Sequence, residues 1–188
     1  MNIYADLDST IYKFLDRFCL YHKLNGGKEY KPEDIESYDF MTNQFGLEES
    51  KKFNYLKQSK FFDDMETYDN AIEIIQALYD AGYTIYFVST IVVPEAYAGK
   101  VNALEKAFPW FDHSRHLKTM TDKHLLVSGL IIDDNPTVID SSNGHHITVM
   151  PSHKFNLHQK ADLIIDGWNS DVFNKIVNLI ETQLRMKI

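Results

Sequence analysis

Cysteine is almost absent: Cys19 stands alone among 188 residues. One thiol cannot close an intramolecular disulfide, so a reducing, cytoplasmic compartment is expected. In a helical pattern Cys19 falls among Phe14, Leu15, Phe18 and Leu20, which makes it a small buried apolar residue rather than a nucleophile. No apolar run approaches the length of a membrane span, and no basic segment leads into a long apolar stretch, so neither an anchor nor a signal peptide is expected. Basic charge is also short, with a formal net charge of −8. Proteins that bind long nucleic acid draw affinity from a basic face, so this balance counts against that class. A small phosphorylated substrate is not, because one metal ion and one or two local cations suffice to hold it. Internal repeats and low-complexity stretches are lacking as well.

What remains is ordinary for a folded protein: 44% apolar residues and 13% aromatic ones. The length suits one core domain with room for a small insertion. Strand and helix signals alternate, which predicts an α/β fold with a mainly parallel sheet flanked by helices. Strands are expected at 2–6, 84–88, near 115–119, and at 130–132, 147–150 and 163–165. Helices are expected at 10–23, 69–81 (Asp69 as N-cap, Gly82 closing it), 94–108 and 170–186. Residues 27–66 differ, being polar but rich in Tyr and Phe, with short helices expected at 32–37 and 47–58. So long an excursion after the first strand and helix reads as a small helical cap, with 1–26 and 67–188 as the core.

Ligand sites in parallel sheets lie beyond the carboxyl ends of the strands. There the first strand offers Asp6, Asp8 and Thr10. The strand at 84–88 offers Ser89 and Thr90, and the one at 130–132 offers Asp133 and Asp134. Lys123 lies between the last two. Carboxylates at the ends of apolar strands need a compensating partner, and a divalent cation is the natural one. The same parts suit phosphoryl transfer. A carboxylate can attack phosphorus once a metal cancels the charge repulsion. A lysine and hydroxyls hold the phosphoryl oxygens, and a second carboxylate protonates the leaving oxygen. Each piece alone is common: an Asp-Asp starts turns, a Ser-Thr caps helices, and a lysine is solvated by default. Their joint order is specific.

That order resembles the four motifs of the haloacid dehalogenase superfamily of phosphohydrolases: Asp6-Leu7-Asp8-Ser9-Thr10, Ser89, Lys123, and Asp133-Asp134. The resemblance implies a Rossmann-like core, dependence on Mg²⁺ and an aspartyl-phosphate intermediate. It makes Asp6 the nucleophile and Asp8 the general acid and base. The metal would be held by Asp6, the backbone carbonyl of Asp8 and a fourth-motif acid, with Asp134 favoured as the direct ligand and Asp133 second.

Within the superfamily the chain most resembles the 5′(3′)-deoxyribonucleotidases. The supporting strings are Asp39-Phe40-Met41-Thr42-Asn43-Gln44-Phe45-Gly46, Lys60-Phe61-Phe62, Lys100 with Leu104-Glu105-Lys106-Ala107-Phe108, and Thr121-Asp122-Lys123. By that resemblance the substrate is a deoxyribonucleoside monophosphate, its base held against Phe14, Phe40 and Met41. Phe61 and Phe62 would anchor the cap hinge. The chain departs from the family at Ser9, where Gly is frequent, and at Ile91-Val92-Val93, where a Pro and a basic residue are frequent. His145, His146, His153 and His158 show no metal-ligand spacing and read as surface or loop residues; Trp110 and Trp168 read as packing residues. A phosphatase of another small metabolite, a non-catalytic metal-holding module and a phosphorylated receiver domain share parts of the pattern. A homodimer is left open.

Overall fold

Among the described residues, six short strands run parallel in one sheet, in the order β3-β2-β1-β4-β5-β6. They are β1 (Asn2–Ala5), β2 (Thr84–Ser89), β3 (Leu117–Thr119), β4 (Leu130–Ile132), β5 (Ile147–Pro151) and β6 (Leu163–Ile165). The structure is a computed structural model and describes residues 1–58, 60–62 and 64–186. It is the expected Rossmann-like α/β fold. The helices are α1 (Phe14–Leu24), α2 (Phe40–Asn43), α3 (Glu49–Leu56), α4 (Ala71–Asp80), α5 (Pro94–Ala107), α6 (His113–His116), α7 (Pro136–Ser142) and α8 (Val172–Met186).

Side chains alternate across the strands and so feed two apolar layers. Ile3, Ala5, Phe87 and Ile132 join the large core under α4 and α8, whose buried stripes are Ile74, Ile75, Leu78 and Val172, Ile176, Ile180. Tyr4, Val88 and Ile131 form a smaller cluster on the other face with Val138 of α7.

Three differences from expectation have local causes. The first helix starts at Phe14 rather than residue 10, because residues 7–13 form a turn. The amides of Ile11 and Tyr12 both donate to the Leu7 carbonyl, and Lys13 N and Tyr68 N pair with Glu66 O and Ile11 O. Those pairs bring the two ends of the 14–65 excursion together. Helix α4 starts after Asn70, which takes a left-handed φ of 61°, rather than after Asp69. Helix α7 carries too few residues to show a period; its signals are Pro136 in the first turn and the Asn135 side chain accepting from Thr137 N.

The aromatic residues of the excursion collapse onto α1. The Phe18 ring lies 5.3 Å from that of Phe40, 5.6 Å from Tyr55, 5.9 Å from Phe45 and 6.0 Å from Phe61. Helices α2 and α3, with a 3-10 turn at 32–34, therefore share a hydrophobic cluster with α1. Phe62 seats against α5: a Cβ added at Gly99 would meet the Phe62 Cβ at 2.3 Å.

Candidate active site

The chain leaves β1 toward β2 and β3 on one side of the sheet, and later fills β4, β5 and β6 on the other. The crevice between β1 and β4 is therefore the topological switch point, where parallel sheets bind ligands. Register then brings the acids together. Ala5 pairs with Ile132, and Asp6 N still donates to Ile132 O at 2.9 Å, so Asp6 and Asp133 follow side by side. Asp6, Asp133 and Asp134 are all buried, and one oxygen of each lies within 4.8 Å of the others.

Two buried lysines answer them. Lys123 Nζ donates to Asp6 Oδ1 at 2.5 Å and to Asp133 Oδ2 at 2.6 Å. Lys100, on α5, donates to Asp8 Oδ2 at 2.6 Å and to Ser89 Oγ at 2.8 Å. Four carboxylates thus face two ammonium groups, an excess of two negative charges when all are ionised. Burial raises the pKa of Asp8, against the pull of Lys100. It raises Asp133 to about 6 despite Lys123. Asp134 is pushed well up by burial and by the charges of Asp6 and Asp133. Burial would lower Lys123, but Asp6 and Asp133 overcome it and raise its pKa. Asp8 Oδ1 is buried with no hydrogen-bond partner. An unsatisfied oxygen and a surplus of two charges fit a divalent cation, the ion that oxygen donors of this kind hold. Asp133 has both oxygens engaged, by Lys123 Nζ and Asn135 N, whereas Asp134 Oδ1 meets only the Thr10 hydroxyl, at 3.2 Å.

A cavity of about 380 Å³ opens above these groups, with Asp6, Asp8, Ser89, Thr90, Lys123 and Asp134 at its base. Phe14, Phe40 and Met41 line it, together with Tyr38, Phe62, Val92 and Phe155. The Thr90 hydroxyl is turned to the Met120 carbonyl at 3.3 Å. The Phe40 ring packs against Phe18 and Phe45 and is buried, and the residue also lines the cavity. Cys19 is buried, its thiol pushed up to about 12 by burial and nearby acids, as an inert residue requires.

Sequence reasoning passed over several residues that the fold brings here. Lys100 stands on the buried face of α5 with Ala96, Gly99 and Leu104, and a lysine in that register is itself a signal. Of the histidines read as surface or loop residues, His146 and His153 do lie in loops; His146 is buried away from the cavity, and His153 is half-buried with Nε2 2.7 Å from the Ser9 carbonyl. Trp168, read as packing, also donates Nε1–H to the Thr10 carbonyl at 2.8 Å.

Residues 1–182 match the family described as 5′ nucleotidase, deoxy (pyrimidine), cytosolic type C protein. A Staphylococcus epidermidis protein named as a candidate 5′(3′)-deoxyribonucleotidase is 28% identical over 124 residues, 64% of this chain and 67% of that protein. Its counterpart in a second strain of that species is 27% identical over the same length. Among solved structures, a family IA, variant 3 HAD hydrolase from Entamoeba histolytica superposes with a TM-score of 0.60 at 15% identity, over 96% of this chain and 99% of that one. The magnesium-bound HAD-hydrolase candidate YfnB from Bacillus subtilis gives 0.57 at 16% identity, over 94% and 98%. These two likenesses are of fold.

Proposed function

The chain belongs to the 5′ nucleotidase, deoxy (pyrimidine), cytosolic type C family, and from that premise we propose that it removes phosphate from deoxyribonucleoside monophosphates. Membership makes it a phosphoric monoester hydrolase of the haloacid dehalogenase type. The observation that carries the reading is the constellation at the switch point: three buried carboxylates within 4.8 Å of one another, with Lys123 bridging two of them and Lys100 holding a fourth.

In this reading Asp6 attacks the phosphorus of the ester. The bond from phosphorus to the ester oxygen breaks, and Asp8 gives its proton to the departing oxygen. Burial favours that protonated form, because it raises the Asp8 pKa. Asp8 then takes a proton from water, which attacks the phosphorus of the aspartyl-phosphate. The bond from phosphorus to Asp6 breaks and inorganic phosphate leaves. Lys123 holds Asp6 in place, and with Ser89 it faces the phosphoryl oxygens, whereas the Thr90 hydroxyl is committed to the Met120 carbonyl. Asp6, Asp134 and the Asp8 carbonyl would hold the metal, while Asp133 accepts from Lys123. Bound there, Mg²⁺ supplies the positive charge that lets a phosphate dianion approach carboxylates.

Residues 27–66 act as the cap and give the cavity its aromatic wall. Phe14, Phe40 and Met41 suit a flat base, since every nucleobase offers a π-face. An aliphatic sugar phosphate has nothing to place against that wall. Purified protein with Mg²⁺ is expected to release phosphate from dUMP or dTMP faster than from sugar phosphates, and Asp6→Asn to abolish the release. Wild-type protein that leaves a nucleotide panel and an aryl phosphate intact would overturn the reading.

A further inference from the structure

The turn that carries the two first-strand acids is unusual in how it is held. Ser9, the residue after Asp8, has a φ of 59°, a left-handed conformation that costs a side chain energy and that glycine takes freely. Ser9 holds this conformation without glycine's freedom, so bonds around it must hold the turn. Its own amide donates to Tyr12 O at 2.9 Å. Its carbonyl is taken by His153 Nε2 at 2.7 Å, from 144 residues further along the chain. A carbonyl only accepts, so Nε2 carries the proton whether the ring is neutral or charged.

The histidine is itself built into a rigid corner at the carboxyl end of β5. Its ring stacks on Phe155 with centroids 5.2 Å apart and planes at 15°. Its backbone amide donates to Asn156 Oδ1 at 2.7 Å, and Asn156, fully buried, donates in turn to the carbonyls of Asp134 at 2.9 Å and Pro151 at 3.0 Å. One corner thus grips both acid-bearing segments, the turn after β1 through His153 and the end of β4 through Asn156.

We propose that His153 is a positioning residue for the phosphoryl-transfer reaction: its Nε2–H bond to the Ser9 carbonyl holds the left-handed turn that fixes Asp8 relative to Asp6 and Asp134. The inference rests on the reaction assigned above. Loss of this bond lets the turn relax while leaving the cavity wall and the phosphate-binding groups in place. The cost therefore falls on kcat, where misplacement of a reacting group is felt most steeply.

The test compares three forms of the full chain with Mg²⁺: wild type, His153→Phe and His153→Gln. Phenylalanine keeps the stack on Phe155 and removes the donor. Glutamine places an amide N–H near the position of Nε2. With dTMP and an aryl phosphate as substrates, H153F is expected to lose about tenfold to a hundredfold in kcat with KM changed less than about threefold. H153Q is expected to recover most of that loss. Hydrogen exchange of the amides of residues 7–12 should quicken in H153F alone, with the melting temperature kept. Wild-type kcat in H153F, or equal losses in both variants that follow their melting temperatures, overturns the proposal. Should wild type hydrolyse neither ester, the assigned reaction fails, and exchange alone decides the pin: unchanged rates at 7–12 in H153F refute it, and quickened rates uphold it.

Discussion

Lys100 Nζ lies 2.6 Å from Asp8 Oδ2 and 2.8 Å from Ser89 Oγ, joining the second acid after β1 to the hydroxyl that ends β2. The lysine is 3% exposed and its ammonium also sits over the Phe62 ring, 5.6 Å from the centroid. Three parts of the molecule meet at one cation: the acid turn, the hydroxyl strand and the segment between α3 and α4.

Lys100→Met should therefore weaken folding and catalysis together. Breaking a buried pair costs roughly 3–5 kcal/mol, and the partial exposure of Asp8 reduces that to about 1–3 kcal/mol. Denaturant unfolding of K100M, D8N and the double variant measures it. The double variant is expected to be more stable than the sum of the single losses implies.

Divalent metal should stabilise the fold, because it relieves the excess of carboxylates. At a hundredfold excess over its dissociation constant, a ligand of the native state adds about 2.7 kcal/mol. Melting of chelated protein with added Mg²⁺ is expected to show that rise. Asp134→Asn should remove it, and Asp133→Asn should weaken it less.

Acid should destabilise the chain through His22. Burial lowers its pKa below the ordinary 6.5, with the ring stacked 4.3 Å from Phe45. Below pH 6.5 the unfolded chain takes up a proton that the folded ring resists, so stability falls as pH drops from there toward the folded value. Above pH 6.5 both forms are neutral and the slope vanishes. His22→Phe should flatten unfolding free energy between pH 6.5 and 5 relative to wild type, by about 2.3RT per pH unit at most.

Gly99 should not tolerate a side chain. The Cβ of an alanine there would press on the Phe62 Cβ at 2.3 Å, and overpacking of this kind costs about 1–3 kcal/mol. Gly99→Ala is expected to lower the melting temperature and kcat together, since Lys100 is the next residue. Phe62→Leu in the same chain keeps the clashing Cβ and should restore neither.

Much of this arrangement is legible in the sequence because it is carried by short strands and the residues just after them. Asp6, Asp8, Ser89, Asp133 and Asp134 each follow a β-branched or apolar run, and the parallel register converts that position into proximity. Lys123 was legible only through the motif order, since it sits in a 3-10 turn without a period of its own. Lys100 was legible only by its register on the apolar face of α5, and His153 and Asn156 were not legible as site residues. Their roles arise from packing across 92, 144 and 22 residues of chain, and no local pattern encodes such distances. His153 did leave one trace, for it follows Pro151 and Ser152 at a strand's carboxyl end, where the other site residues stand. The start of α1 was misplaced because the apolar periodicity of 10–23 is real but its first turn is spent on the loop that presents the acids.

In the proposed reaction Asp6 receives the phosphoryl group. The most direct measurement is mass spectrometry of protein acid-quenched during turnover of dTMP with Mg²⁺. One added phosphoryl group is expected on the peptide containing Asp6, absent in Asp6→Asn. Undiminished phosphate release by Asp6→Asn, with no phosphorylated peptide in wild type, would contradict it.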